Sequence, residues 1–273
     1  MFSYLNKKEV IQTFNDFLSL IGQIAIGVCN NLGNIGIFVI EAFTTSIKDL
    51  DLRKIIVQMH FIGVKSLSVV ALTGACIGAV LAKHSFDGLH RFGGAQDQFI
   101  GPLVYISMAR EFGPIVSAIM LTARAGSAIT AELGAMKISE QIDALKTLSI
   151  DPFAYLITPR IIGATIIMPF LSLFCTMFGI SAGYLMAIHV LGVSSETYAD
   201  SIKKMLEFTD ISNGLIKAAI FGFLSASICC YKGINTAGGS RGVGISTTQA
   251  VVYSSVTIFF ANYILTTLLF RVK

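Results

Sequence analysis

The sequence predicts an all-α integral membrane protein: an N-terminal helix in the membrane interface, five transmembrane helices, and a short helix on the cytoplasmic side between two of them. Three observations carry this. Mean hydropathy is +0.74. Only 13% of the 273 residues are charged, against about 25% in soluble domains. Five apolar segments reach the about 20 residues that a spanning helix needs: Gly63–Leu81, Phe99–Met136, Ile161–Leu191, Ile211–Tyr231 and Ala250–Phe270.

Taken in order, Val10–Phe43 is apolar but interrupted by Asn15, Asp16, Gln23, Asn30, Asn31 and Asn34. It reads as an amphipathic helix lying in the interface, with a sixth full span as the alternative. Lys7 and Lys8 lack a small-residue cleavage site downstream, so a cleavable signal is not expected. Leu52–Ile62 gathers Arg53, Lys54, Gln58 and His60 on what could be one wet face. The spans after Phe99 and Ile161 exceed one perpendicular crossing and must tilt, kink or project, with Pro114 and Pro169 as kink points. Ala82–Gln98 and Gly192–Asp210 are expected to be outer loops too short to fold alone, and Gly238–Gly244 a flexible inner turn. No soluble domain or internal repeat is visible, so 1–273 is one domain, with 1–50 interfacial and 51–273 the core.

Lysine and arginine in short loops orient the chain. Lys7, Lys8, Lys48, Arg53, Lys54, Lys137, Lys146, Arg160, Lys232 and Arg241 fall on the side of the N-terminus, against Lys83, Arg91, Lys203, Lys204, Arg271 and Lys273 on the other. An N-terminus on the inner side of the membrane and a C-terminus on the outer side follow. The net charge of +4 forms no run, which argues against nucleic acid as a partner. The cysteines, Cys29, Cys76, Cys175, Cys229 and Cys230, all lie in apolar segments without CxxC spacing and read as small buried hydrophobes. His60, His84, His90 and His189 are scattered, so no metal site is expected. No catalytic constellation and no GxxxxGK[ST] phosphate loop occur, so the chain is not expected to be an enzyme or to hydrolyse nucleotide.

What does call for a role is charge at membrane depth. Arg110, Glu111, Arg124 and Glu132 sit within Phe99–Met136, where each ionisable group costs about 2.5–3.5 kcal/mol on insertion scales. Such groups face a partner or a polar path. Arg110 and Glu111 point about 100° apart on a helix, cannot pair well with each other, and have no evident intramembrane partner. A guanidinium there can hold a phosphate through two parallel bonds. The alternative is that these charges only lock helices together.

The same span carries two rows of small residues at four-residue spacing: Ala123, Ser127, Ala131, Ala135, and Thr122, Gly126, Thr130, Gly134. Such rows let helix backbones approach, within one subunit or between two copies. Beyond it, Ile142, Leu145 and Leu148 form an apolar stripe beside Glu140, Asp143 and Lys146, ended by Asp151-Pro152. A short helix there suits docking of a cytoplasmic partner.

These residues resemble a family. Arg110-Glu111-Phe112-Gly113-Pro114, Thr122-Ala123-Arg124-Ala125-Gly126-Ser127-Ala128, Thr130-Ala131-Glu132-Leu133-Gly134, Glu140-Gln141-Ile142-Asp143-Ala144-Leu145, Asp151-Pro152, Thr158-Pro159-Arg160 and Gly242-Val243-Gly244 follow in order. Together they are similar to the MlaE-type permeases of lipid ABC transporters that work with MCE-domain proteins. The resemblance runs from about Leu52 to Phe270.

It implies a multi-pass permease domain of the cell inner membrane, with an N-terminal elbow helix, working as a homodimer. A cytoplasmic ABC ATPase dimer, which alone uses ATP, would dock below, and a membrane-anchored MCE-domain protein above. The permease itself would need no cofactor. The substrate class would be phospholipid or a related lipid, moved between inner and outer membranes. By the same resemblance Arg110, Glu111 and Leu81 fall at the lipid cavity. Glu140, Ile142, Asp143, Leu145 and Leu148 fall on the helix that couples to the ATPase. Ala123, Gly126, Ser127, Ala131 and Gly134 form a packing row or dimer seam. Asn262 departs from relatives that often carry an acid there. The competing readings are an ion-coupled secondary transporter, which calls for inverted repeats and broken helices, and a non-transporting membrane scaffold.

Overall fold

The computed structural model describes residues 51–91 and 97–269, with 33–42 and isolated positions between Asp16 and Thr44. The elements are α1 (Gly33–Ala42), α2 (Leu52–Arg91), α3 (Asp97–Ile138), α4 (Gln141–Thr147), α5 (Phe153–His189), α6 (Ser195–Met205), α7 (Phe208–Ile234) and α8 (Gly239–Leu269). Five of them, α2, α3, α5, α7 and α8, are long and apolar enough to cross a membrane. The chain is an all-α multi-pass membrane protein. The expected features at Lys7, Lys8, Cys29, Lys48, Arg271 and Lys273 lie outside the described residues.

α2 and α5 run parallel: Gly63 meets Ile167, Gly74 meets Cys175 and Gly78 meets Gly179. α3 and α7 also run parallel, Gly214 lying against Ala109 and Gly126 against Cys229. α8 returns antiparallel along α7, with Cys229 Sγ 3.7 Å from Ser254 Oγ. One end of the bundle therefore gathers the starts of α2 and α5, α4, and the end of α7. We call it the near end, and the opposite end the far end.

α2 is longer than expected. At 1.5 Å per residue its 40 residues reach about 60 Å, twice the about 30 Å hydrocarbon layer. The segments assigned to an amphipathic piece, Leu52–Ile62, and to an outer loop from Ala82 are the two ends of this one helix. No proline interrupts it, and Gly63 is buried against α5 instead of breaking the helix. The core lies where α2, α3, α5 and α7 meet, with Ile62, Met108, Leu121, Met168 and Phe221 fully buried. Cys175, Cys229 and Cys230 are packed in it as free thiols.

Gly78 and Gly179 set the α2–α5 spacing. A Cβ on Gly78 would collide with the backbone carbonyl of Gly179, which cannot move aside as a side chain does. Overpacking of this kind costs about 1–3 kcal/mol or more. Gly78→Leu is expected to lower the thermal midpoint of the purified protein by several degrees, while Val80→Leu, on an exposed face, leaves it in place.

Two further loops are structured. Gly192–Asp210 contains α6, whose Tyr198 is fully buried against Ile100 and Ala187 while Lys203 and Lys204 face out. Gly238–Gly244 is no flexible turn: Gly238 (φ +89°) and Gly239 (φ +69°) make the corner, and α8 starts at once. Of the four glycines in 238–244, these two take the left-handed conformation that L side chains avoid. Gly242 is instead tucked against the Ala237 carbonyl. α1 docks on the near end through Phe38, which meets the rings of Phe153 at 5.4 Å and Tyr231 at 5.6 Å. Thr158 Oγ1 also donates to the Ala42 carbonyl at 3.0 Å.

Candidate functional site

α3 is not a uniform helix. Met108–Phe112 and Thr122–Gly126 form wider π turns, each carrying ionisable residues: Arg110 and Glu111 in the first, Arg124 in the second. Pro114 explains part of the first. It has no N–H for the Arg110 carbonyl four residues back, and its ring crowds that carbonyl, so an extra residue in the turn relieves the clash. The carbonyl finds another donor, the Lys217 ammonium at 3.0 Å.

Lys217 is the centre of the network. Its side chain is fully buried, and Nζ lies 2.8 Å from Glu111 Oε1, 2.8 Å from Thr266 Oγ1 and 3.2 Å from Asn262 Oδ1. Asn262 Nδ2 donates to Glu111 Oε2 at 2.9 Å, and Thr266 Oγ1 lies 3.0 Å from Glu111 Oε1. Beside this cluster Arg110 grips Asp210 through Nε at 2.8 Å and Nη2 at 2.7 Å. Asp210 stands in the first turn of α7, where the helix dipole favours a carboxylate. Two cations and two acids from α3 and α7, completed by two polar groups of α8, form one polar assembly toward the far end.

Arg110 and Glu111 thus have intramembrane partners, contrary to expectation. Lys217 was not foreseen, although a lysine inside the apolar Ile211–Tyr231 segment is the same signal that marked Arg110. Asp210, at the end of the expected outer loop, stands instead in the first turn of a span. Asn262 also finds its reason: its amide donates to one carboxylate oxygen while its carbonyl accepts from Lys217, which an ionised acid could do only in part.

The assembly is not sealed. The Arg110 side chain is 34% exposed and that of Glu111 31%, while their partners Asp210 and Lys217 are buried. Next to it an apolar hollow of about 220 Å³ opens between α3, α5, α6 and α7, lined by Tyr105, Ala109, Thr176, Ile202, Ile211 and Leu215 among others. Leu81, on α2, packs half-buried against the core and is not a member of the polar assembly.

The other charges at depth are helix locks. Arg124 Nη1 donates to the Phe61 carbonyl at 3.2 Å and to Ser66 Oγ at 3.0 Å, tying α3 to α2. Arg160 Nη2 meets Glu132 Oε2 at 3.0 Å, tying α5 to α3. The two small-residue rows divide. Gly126 and Gly134 pack inside the subunit, against Cys229 and Thr236 of the α7 region, and Thr130 Oγ1 donates to the Cys229 carbonyl at 3.0 Å. Ala123, Ser127 and Ala131 remain partly or fully exposed.

At the near end α4 is entered through Glu140 in a left-handed conformation (φ 56°). Its stripe is split: Ile142 is buried, Leu145 half-buried and Leu148 69% exposed at the helix end. Asp143 is held by Lys137 at 3.2 Å and Lys146 at 3.7 Å. The hydrogen bond from Lys137 keeps its carboxyl below the ordinary carboxylate range.

Comparison with known proteins decides the family. The family described as Permease MlaE matches residues 55–268. The chain belongs to the MlaE permease family. Among relatives, a probable ABC transporter permease protein of Rickettsia typhi is 42% identical over 255 residues, covering 93% of this chain and 98% of that protein. The intermembrane phospholipid transport system permease protein MlaE of Haemophilus influenzae is 34% identical, with coverage of 93% and 98%. The chloroplastic protein TRIGALACTOSYLDIACYLGLYCEROL 1 of Arabidopsis thaliana is 38% identical over 80% of this chain and 62% of its own length. The matched region of this MlaE permease contains α3, α4 and all six members of the polar assembly.

Proposed function

We propose that this chain is the membrane subunit of an ABC transporter that moves phospholipid or a related lipid between the inner and outer membranes of a cell. The observation that carries the reading is the half-open polar assembly of Arg110, Glu111, Asp210 and Lys217, set beside an apolar hollow at membrane depth. A lipid needs that combination: apolar walls for its chains and a charged group for its phosphate. The relative from Haemophilus influenzae, whose name states intermembrane phospholipid transport, supports the same substrate class.

The chain would draw its energy from a separate cytoplasmic ATPase dimer, since it has no phosphate loop of its own. The near end would face the cytoplasm and α4 would be the docking rod. Glu140 and Leu148 offer exposed contacts, Leu145 a half-buried one, and Ile142 anchors the rod to the bundle. A second copy would pack against the bare face of α8 and the Ala123–Ser127–Ala131 row. An MCE-domain partner would receive or supply lipid at the far end. Nucleotide binding that draws two α4 rods together would shift the faces above them.

The test is co-purification and transport by the assembled complex in proteoliposomes. Leu145→Asp is expected to release most of the ATPase and abolish ATP-dependent movement of a fluorescent phospholipid, with the permease still inserted. Unchanged co-purification would remove α4 as the docking rod, and ATP-independent transport would remove the ABC assignment.

A further inference from the structure

A second polar cavity lies at the near end, away from the α3–α7–α8 assembly. The starts of α2 and α5 enclose about 380 Å³, lined by Asp51, Arg53, Lys54, Gln58, Tyr155 and Arg160 among others. Three cations and one acid line it, and Glu132 reaches Arg160 from α3. Arg160 is 6% exposed. Its Nη2 is held by Glu132, but Nε and Nη1 are buried without an acceptor, and Gln58 Oε1 is buried without a donor. Unmade bonds of this kind are costly, and more so for a charged group. The acid of the lining is already engaged: Asp51 accepts from the Arg53 backbone N–H at 3.0 Å and lies 3.6 Å from Lys54 Nζ. Lys54 also sits 3.7 Å above the Tyr155 ring. The first turn of α5, Phe153–Ile157, adds the positive end of the helix dipole.

We propose that this cavity binds a phosphate-bearing anion, and that the phosphate belongs to the headgroup of a phospholipid in the near-end leaflet. A planar guanidinium with free donors beside an ammonium suits phosphate oxygens. What favours a lipid over a soluble anion is the setting. Leu52, Ile56 and Val57 are 72%, 65% and 58% exposed at the start of the first span. Acyl chains hanging from a phosphate on Lys54 and Arg160 would run along that apolar face. The site shares no residue with the transport assembly and does not depend on the transport reading. Its lipid would act as a fixed tie between α2 and α5 rather than as cargo.

The chain has no tryptophan, so Val57→Trp places a single fluorophore on the exposed wall of the cavity. The full chain is reconstituted in mixed phosphatidylcholine and phosphatidylglycerol vesicles, with one lipid or the other brominated on its acyl chains. Brominated phosphatidylglycerol is expected to quench about fivefold more per mole, the size of effect of one cation near an anionic lipid surface. Lys54→Gln and Arg160→Gln should each erase most of that preference. Lys54 is partly exposed and outside the core, so its variant keeps the test decisive if loss of Arg160 disturbs folding. Equal quenching by both lipids would overturn the anion site, and a preference surviving Lys54→Gln would overturn its location. Displacement of the brominated lipid by millimolar inorganic phosphate would assign the cavity to a soluble anion and overturn the lipid headgroup.

Discussion

Lys217→Met is expected to destabilise the protein more than any other single substitution in the polar assembly. The ammonium is fully buried and sits within 3.2 Å of Glu111, the Arg110 carbonyl, Asn262 and Thr266. Removing it strands the Glu111 carboxylate and leaves the carbonyl that Pro114 cannot serve without its donor. Breaking a buried pair by deleting one partner costs about 3–5 kcal/mol, and the lower figure applies because Glu111 is about a third exposed. Glu111→Gln in the same chain removes the stranded charge. The double variant is therefore expected to recover more than half of the loss, which a double-mutant cycle by thermal unfolding in detergent measures. Additive losses would show that the two groups do not act on each other.

The second large effect is on transport. Arg110→Ala should lower ATP-dependent lipid movement by about tenfold or more, as expected for loss of a charge-assisted contact worth about 1.5–3 kcal/mol. Insertion and assembly with the ATPase should persist. The side chain is 34% exposed, so its contribution to the fold is smaller than that of Lys217. Its loss also leaves the buried Asp210 unpaired, so Arg110→Ala/Asp210→Asn is the required companion. That double variant should fold well and still fail to transport. Full transport by Arg110→Ala and Glu111→Ala together would reject the lipid site at this assembly, whatever their stability.

How much of this was legible in the chain depends on the length scale. The five spans follow from segments of about 20 apolar residues, and the structure has helices at all five. Their ends were not legible. Hydropathy falls where α2 leaves the lipid, yet no proline stops the helix, so it continues to Arg91. α6 is polar on average and looks like a loop until Tyr198 is seen against Ile100. The glycines of 238–244 suggested flexibility, but two of them form a corner and the rest build the first turns of α8.

At the site, Arg110 and Glu111 declared themselves by their cost in lipid. Their partners lie about a hundred positions away: Asp210 pairs with Arg110 and Lys217 with Glu111. Only the parallel course of α3 and α7 brings those pairs together. Neither the pairing nor the π turn beneath it can be read from local spacing. The split of the two small-residue rows has the same origin, because which row meets α7 depends on how α3 is turned.

α8 is the span least covered by its own chain, with only 11% of its apolar stretch buried. Side chains such as Val256, Phe259, Phe260 and Tyr263 stand in the open along it. In water such a wall would bind its first neighbour almost irreversibly. In a bilayer, acyl tails and a neighbouring helix are equally greasy, so parting from one to meet the other forfeits fit but little hydrophobic energy. A motor gripping α4 at the near end would then work against shape and a few polar contacts alone, a load light enough to be lifted and set down on every turnover.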